Sequence, residues 1–231
     1  MYFYYNMPGI FVTLLLTCLS SIRAQDTASF TYKELNRGVL SVADFLVVHD
    51  RGGYAISVSL TKNKERIRQE LVCDSTFATI RWSYVSDANT DISFRRIADR
   101  IEVRGTFQGK AEKKDLSIDN HPWYQIVPLG LQTVSRDSSG RSKLWAVSLQ
   151  EPAVLKAVCF CVVGTTNASL PGHPEIACQC FHMKIEGLPS GIWGGDYFIR
   201  QSDHVFLYFE GHLFGSKKPT GTIEAEFHKK G

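Results

Sequence analysis

Four cysteines carry the most pointed chemistry in this chain. Cys159-Phe160-Cys161 ends one apolar run, and Cys178-Gln179-Cys180 begins the next. Thiols in two Cys-x-Cys pairs can form disulfides, hold a metal ion, or pack as small apolar groups. If the runs are paired antiparallel strands with Val162 to Ala177 as the loop, Cys161 faces Cys178 and Cys159 faces Cys180. Val158 then meets Phe181 and Val162 meets Ala177 on the opposite face, an apolar match that supports this register. His182 lies two residues beyond Cys180. Residues i and i+2 of a strand are about 6–7 Å apart, whereas a disulfide needs Cβ atoms about 3.5–4.5 Å apart. Bridging within either motif is therefore disfavoured. Cross-strand bridges Cys159–Cys180 and Cys161–Cys178 are the first expectation. A zinc site from the same four thiolates with His182 nearby, or a set of buried free thiols, stays open beside it. Cys73 is left over and is expected to be buried in the strand that follows Glu70-Leu71.

No other constellation has the spacing of a catalytic site. Ser190 in Leu188-Pro189-Ser190-Gly191 lacks the strand-to-helix elbow of a nucleophilic serine. Asp196 and Asp203 are candidates for an acid–base pair. Gly191, Gly194 and Gly195 form no phosphate-binding fingerprint and read as a turn or bulge that lets Trp193 pack. His121, His173 and His212 read as loop histidines without metal-ligand spacing. Asn167-Ala168-Ser169 is a glycosylation sequon in the presumed loop. The expectations are no catalytic residues, no resident metal and no cofactor. An unrecognised hydrolase remains the least favoured alternative.

The elements that position these residues read as strand after strand. Val42–His49, Tyr54–Leu60, Ile67–Cys73, Phe77–Val85 and Ile101–Phe107 are short, rich in β-branched and aromatic residues, and separated by turn residues. Later runs are Trp145–Leu149, Ala153–Val163, Ile176–Ile185, Tyr197–Gln201, Val205–Glu210 and Thr222–Phe227. Ile56, Val58 and Leu60 alternate with Ser57 and Ser59, and Ile80, Trp82 and Tyr84 alternate with Arg81 and Ser83, as in an antiparallel sheet with one wet face. Val205–Phe209 is apolar at every position and should be covered on both sides. The best helix lies between Trp123 and Val134, with Pro128 interrupting it. Ser135–Lys143 is the clearest loop. The predicted fold is mainly β: a curved antiparallel sheet, or half-barrel, with one or two short helices.

Tyr32 with Gly38, Gly53-Tyr54, Arg81-Trp82-Ser83-Tyr84, Asp119 with Pro122-Trp123, Ile192-Trp193 with Asp196, and Gly221-Thr222-Ile223-Glu224 occur in an order that resembles exported bacterial β-rich domains of unknown function. Their curved sheet is similar to that of lipoprotein carriers of the LolA and LppX kind. The likeness runs from Phe30 to Phe227. It implies a half-barrel with an apolar concave face and no catalytic residues. It also implies a hydrophobic or lipid-like ligand, for which Trp82, Tyr84, Phe107, Phe198, Phe206 and Tyr208 are the candidate contacts; without the resemblance the same positions read as an ordinary filled core.

Residues 1–24 read as a signal peptide. The apolar stretch Ile10–Leu19 is too short to span a membrane, and Ile22-Arg23-Ala24 offers a cleavage site before Gln25. Cys18 lacks a good lipobox. The expected product is one β-rich domain, residues 25–231, periplasmic or extracellular, with no membrane span after cleavage. With 26 basic and 23 acidic residues the net charge is only +3, which argues against nucleic acid as a partner. The alternative to a ligand carrier is a structural or protein-interaction module stabilised by a disulfide hairpin.

Overall fold

The computed structural model describes residues 27–36, 39–50, 52–62, 64–134, 141–150, 154–187, 193–213, 219 and 221–227. The signal-peptide segment with Cys18 lies outside these residues, as do Ser190 and Gly191.

Among the described residues fourteen strands form one antiparallel sheet. They are β1 (Thr27–Asn36), β2 (Val39–Asp50), β3 (Gly53–Lys62), β4 (Glu65–Asp74), β5 (Thr79–Ser86), β6 (Thr90–Ile97), β7 (Arg100–Phe107), β8 (Lys110–Ser117), β9 (Arg141–Gln150), β10 (Val154–Leu170), β11 (His173–Ile185), β12 (Trp193–Arg200), β13 (Phe206–Leu213) and β14 (Gly221–Phe227). The spatial order is β8-β7-β6-β5-β4-β3-β2-β1-β14-β13-β12-β11-β10-β9. The first and last strands meet in the middle, Phe30 opposite Phe227 and Asn36 opposite Gly221. Two meandering arms extend from this seam. The sheet is curved and not closed into a barrel.

Alternation explains the curvature's two faces. On the inner face Ile56, Val58, Leu71, Trp82, Phe94 and Val103 are buried in one continuous core. Trp82 and Phe94 stack with ring centroids 4.5 Å apart, and Gln69 Oε1 accepts the Trp82 indole N–H at 3.0 Å. On the outer face Ser57 pairs with Glu70, and the neighbouring positions are polar or exposed. The edge strand β8, Lys-Ala-Glu-Lys-Lys-Asp-Leu-Ser, carries charges that oppose edge-to-edge pairing. Its composition is poor in strand formers, so the sequence reading missed it. The reading also missed β6, whose buried Ile92 and Phe94 show the expected alternation.

One helix, α1 (Val127–Val134), lies in the connection from the β8 edge to the β9 edge. Pro128 does not interrupt it. The residue falls in the first turn, where backbone N–H groups have no intrahelical acceptor, so losing one costs the helix little. The segment before α1 ties two distant strands together. Trp123 O accepts from Thr79 N at 2.6 Å, Tyr124 N donates to Trp145 O, and Trp145 N donates to Pro122 O, each of the last two at 2.8 Å.

The β10–β11 hairpin is longer than expected. Val162 to Ala177 is not a loop: β10 runs on to Leu170, β11 begins at His173, and Gly172 supplies the positive φ of the turn. The sequon residues Asn167-Ala168-Ser169 therefore lie in β10, and His173 opens β11. Gly194 and Gly195 lie inside β12 rather than in a turn or bulge. A Cβ on Gly195 would stand 2.3 Å from the Phe209 ring, so it is Phe209 that needs the glycine. Val205, Phe206, Leu207 and Phe209 are all buried, as their two-sided apolar character requires. Of the expected loop Ser135–Lys143, positions 135–140 lie outside the described residues, and Arg141–Lys143 belong to β9.

Candidate functional site

The inner face is not filled throughout. A cavity of about 380 Å³ lies between the strands around the β1–β2 pair and the connection that carries α1. Phe45, Val58, Leu60 and Trp82 form its apolar floor, and Ile126, Val127 and Pro128 stand across from them with Val147 and Leu149 of β9. This volume falls within the roughly 300–1,000 Å³ of ordinary small-molecule sites.

The sheet register places its polar groups. Glu34 and Ser41 face each other across β1 and β2, and both line the cavity. Gln69 and Gln125 line it as well, yet both are engaged. Gln69 holds Trp82, as above. Gln125 Oε1 accepts from Trp123 Nε1 and Val147 N at 3.0 Å each, while its Nε2 donates to Val147 O at 3.1 Å. Ser41 is only 3% exposed. Its hydroxyl is the one buried side-chain polar group among the described residues without a hydrogen-bond partner. Burial pushes the Tyr84 hydroxyl up to about 12, with the charge of Glu65 adding to the effect. Tyr32 and Tyr197 are also held well above the ordinary tyrosine range by burial, and the negative charge of Glu34 contributes at Tyr197.

The six candidate contacts divide. Trp82 and Tyr84 line the cavity. Phe206 is fully buried behind it, with its ring 5.3 Å from Tyr32 and 6.1 Å from Tyr197. Phe107 belongs to the main core at the end of β7 without reaching the cavity wall. Phe198 and Tyr208 are elsewhere. They pack on the outer face with Cys178, Val205 and Leu207 in a second apolar cluster. Alternation along β12 and β13 sends neighbouring aromatics to opposite sides, so their shared richness in rings did not reveal the split. The reading missed Glu34, Ser41 and Gln125, because nothing local marks a polar residue as lining a cavity.

The expected disulfides do not form. Cys73, Cys159, Cys161, Cys178 and Cys180 are free thiols. The register pairs Cys161 with Lys184, Thr165 with Cys180 and, past a bulge, Ala168 with Cys178. Lys184, opposite Cys161, is six residues from Cys178, and Glu186, beside Cys159, is six from Cys180; each offset is about 20 Å along a strand, so neither cross-strand bridge can close. The expectation failed because the true register from Phe160 to Thr165 is displaced by six residues, an even number, before the bulge. Such a shift keeps every side chain on its face: Val162, Phe181 and Met183 are buried while His182 and Lys184 are exposed. The separation also denies the four thiolates a common metal site. Among the described residues no group of three or more His, Cys, Asp or Glu is placed to hold a metal ion. Cys73 is buried in β4 as expected.

Outside the cavity, polar clusters are locally satisfied. Asp119 accepts from Trp145 Nε1 at 2.7 Å and from His121 N and Nδ1 at 2.9 and 2.7 Å. These hydrogen bonds hold its carboxyl well below the usual range, the Trp145 bond contributing most. Lys143 pairs with Glu186 beside Cys159. Burial and Glu186 push the Cys159 thiol up to about 12, the opposite of what an attacking thiolate needs. Asp196 binds His182 at 2.8 Å, and Asp203 forms a bidentate pair with Arg200 at 2.6 and 2.9 Å. The two aspartates thus do not form the acid–base pair considered from sequence. Among the described residues no helix is long and apolar enough to cross a membrane.

No protein-family model matches the chain, and no curated protein matches it.

Proposed function

We propose that this chain is an exported binding protein that takes a hydrophobic or lipid-like ligand into the cavity on the inner face of its sheet. The observation that carries this reading is the cavity itself: a curved sheet and the connection bearing α1 border a half-open space of about 380 Å³ between largely apolar walls. An ordinary core closes such a space, because each unfilled volume forfeits packing contacts. The likeness to lipoprotein carriers points the same way. Native mass spectrometry of protein extracted under mild conditions tests the reading. A co-purifying apolar ligand, or uptake of added lipid probes, is expected. A consistently empty protein that also fails to take up those probes would refute it.

A second reading rests on a different surface. Leu35, Leu40, Val42 and Leu46 are exposed on the outer face of β1 and β2, Leu40 by 59%. Adjacent exposed apolar side chains suit a protein-interaction module. Loss of a binding partner on Leu40→Lys, with ligand uptake unchanged, would favour it. In this register the hairpin of that module lacks the expected disulfides.

A further inference from the structure

Resting on the cavity as the binding site, we propose that its ligand carries an uncharged hydroxyl-bearing head seated against Ser41 and Glu34, and not a carboxylate or phosphate. Three observations converge. First, Ser41 and Glu34 are direct cross-strand neighbours, so their polar groups lie side by side on the cavity wall. Second, the Ser41 hydroxyl is buried and unpartnered, while the cavity's two glutamines are already engaged. A buried polar group of this kind is normally paired. Third, among the described residues that line the cavity none is basic, and Glu34 is the one acidic side chain.

The chemistry of the head follows. A carboxylate offers about four acceptor positions, so Glu34 can take a ligand donor in addition to its contacts within the protein. A hydroxyl can donate to Glu34 and accept from Ser41 at the same time. An anionic head could donate to neither, and it would face the like charge of Glu34 at short range. The negative charge of Glu34 is felt as far as Tyr197, which also lines the cavity. Phe45, Val58 and Leu60 then receive the chain that trails from the head.

The test is displacement of the apolar fluorophore N-phenyl-1-naphthylamine from the full chain by 1-decanol and by decanoate, at about pH 8, where decanoate is ionised. 1-Decanol should displace the probe at about tenfold lower concentration, the difference expected of one hydrogen bond to a charged group. Glu34→Gln should narrow that gap to about twofold or less, and Ser41→Ala should weaken 1-decanol about threefold or more while leaving decanoate unchanged. Equal displacement by both compounds in the unaltered protein, or a gap that survives both substitutions, overturns the assignment of the head and leaves the cavity reading standing. If the fluorophore does not bind, or neither compound displaces it, the cavity reading falls and this inference with it. Both substitutions are near-isosteric, and probe binding by each variant reports that it is folded.

Discussion

The inner face of the sheet carries a large apolar core that borders a cavity, and the outer face carries a small apolar cluster around Cys178. On the inner face Trp82, Tyr84 and Phe45 stand around a cavity. On the outer face Phe198 and Val205 close over Cys178, which is fully buried. The inner core is far richer in rings, whereas Phe198 and Tyr208 are the rings of the outer cluster. The difference in filling is geometric. A curved sheet facing the connection that carries α1 holds two walls apart, whereas the outer cluster is formed where the long β10–β11 hairpin and the β12–β13 turn fold directly onto each other. Hollow and filled sites respond differently to added volume, and that response can be measured.

The largest effect is expected at the wall they have in common with the core. Trp82→Ala removes a fully buried ring and leaves Gln69 without its donor. It should lower stability by about 3–5 kcal/mol, read from denaturant unfolding. A loss below about 1 kcal/mol would mean that the Trp82–Phe94 stack is not part of the folded core.

A paired insertion sharpens the comparison. Ala43→Leu adds volume where the inner face is open, and Ala168→Leu adds it where the outer cluster is closed. The second should cost about 1–3 kcal/mol through overpacking. The first should change stability by less than about 1 kcal/mol while impairing uptake of apolar probes. Equal costs at the two sites would break the distinction between hollow and filled.

The smallest effect concerns the thiols, which occupy both regions. Cys73, Cys159 and Cys180 are pushed up to about 12, and Cys178 to about 11, from an ordinary 9.0, chiefly by burial. A folded pKa above the unfolded one means that folding favours the neutral thiol. Its contribution is intact below about pH 9 and is lost as pH rises through 11 to 12. The unfolding midpoint should therefore fall progressively above about pH 9, and less steeply in Cys178→Ala. Thiol titration of the denatured chain from Gln25 onward should find all five cysteines reactive. A count of one would restore the two disulfides.

Much of the fold was legible, and the failures share a cause. Strand alternation identified the faces of β3, β10 and β11, because burying one face of a pleat leaves a period-two mark; in β5 it held from Trp82 onward, but a bulge exposes Ile80 and buries Thr79 against the expectation. Register left no such mark. Any even displacement of β11 against β10 preserves the alternation, so the apolar match between Val158 and Phe181 supported a pairing that the chain does not adopt. The true pairing follows from where the hairpin turns, at Pro171-Gly172. Strand β8 was invisible for the opposite reason. Its charges serve an edge, and an edge strand has little to bury.

The candidate site was legible only in part. Trp82 and Tyr84 could be named from alternation within β5. Glu34 and Ser41 could not, since they are brought together by β1–β2 pairing and become cavity groups only when Ile126 to Pro128 and β9 arrive opposite them.

By itself the sequence determined the strand content, the buried face of most strands, the two-sided burial of Val205–Phe209 and the burial of Cys73. These are local properties, set by side-chain period and polarity. The tertiary structure alone decided the register of the cysteine hairpin, the separation of Phe198 and Tyr208 from the inner face, and the cavity with Ser41 on its wall. Those depend on which strands meet and how the sheet curves, and no local pattern encodes the distance between two walls that the chain assembles from residues a hundred positions apart.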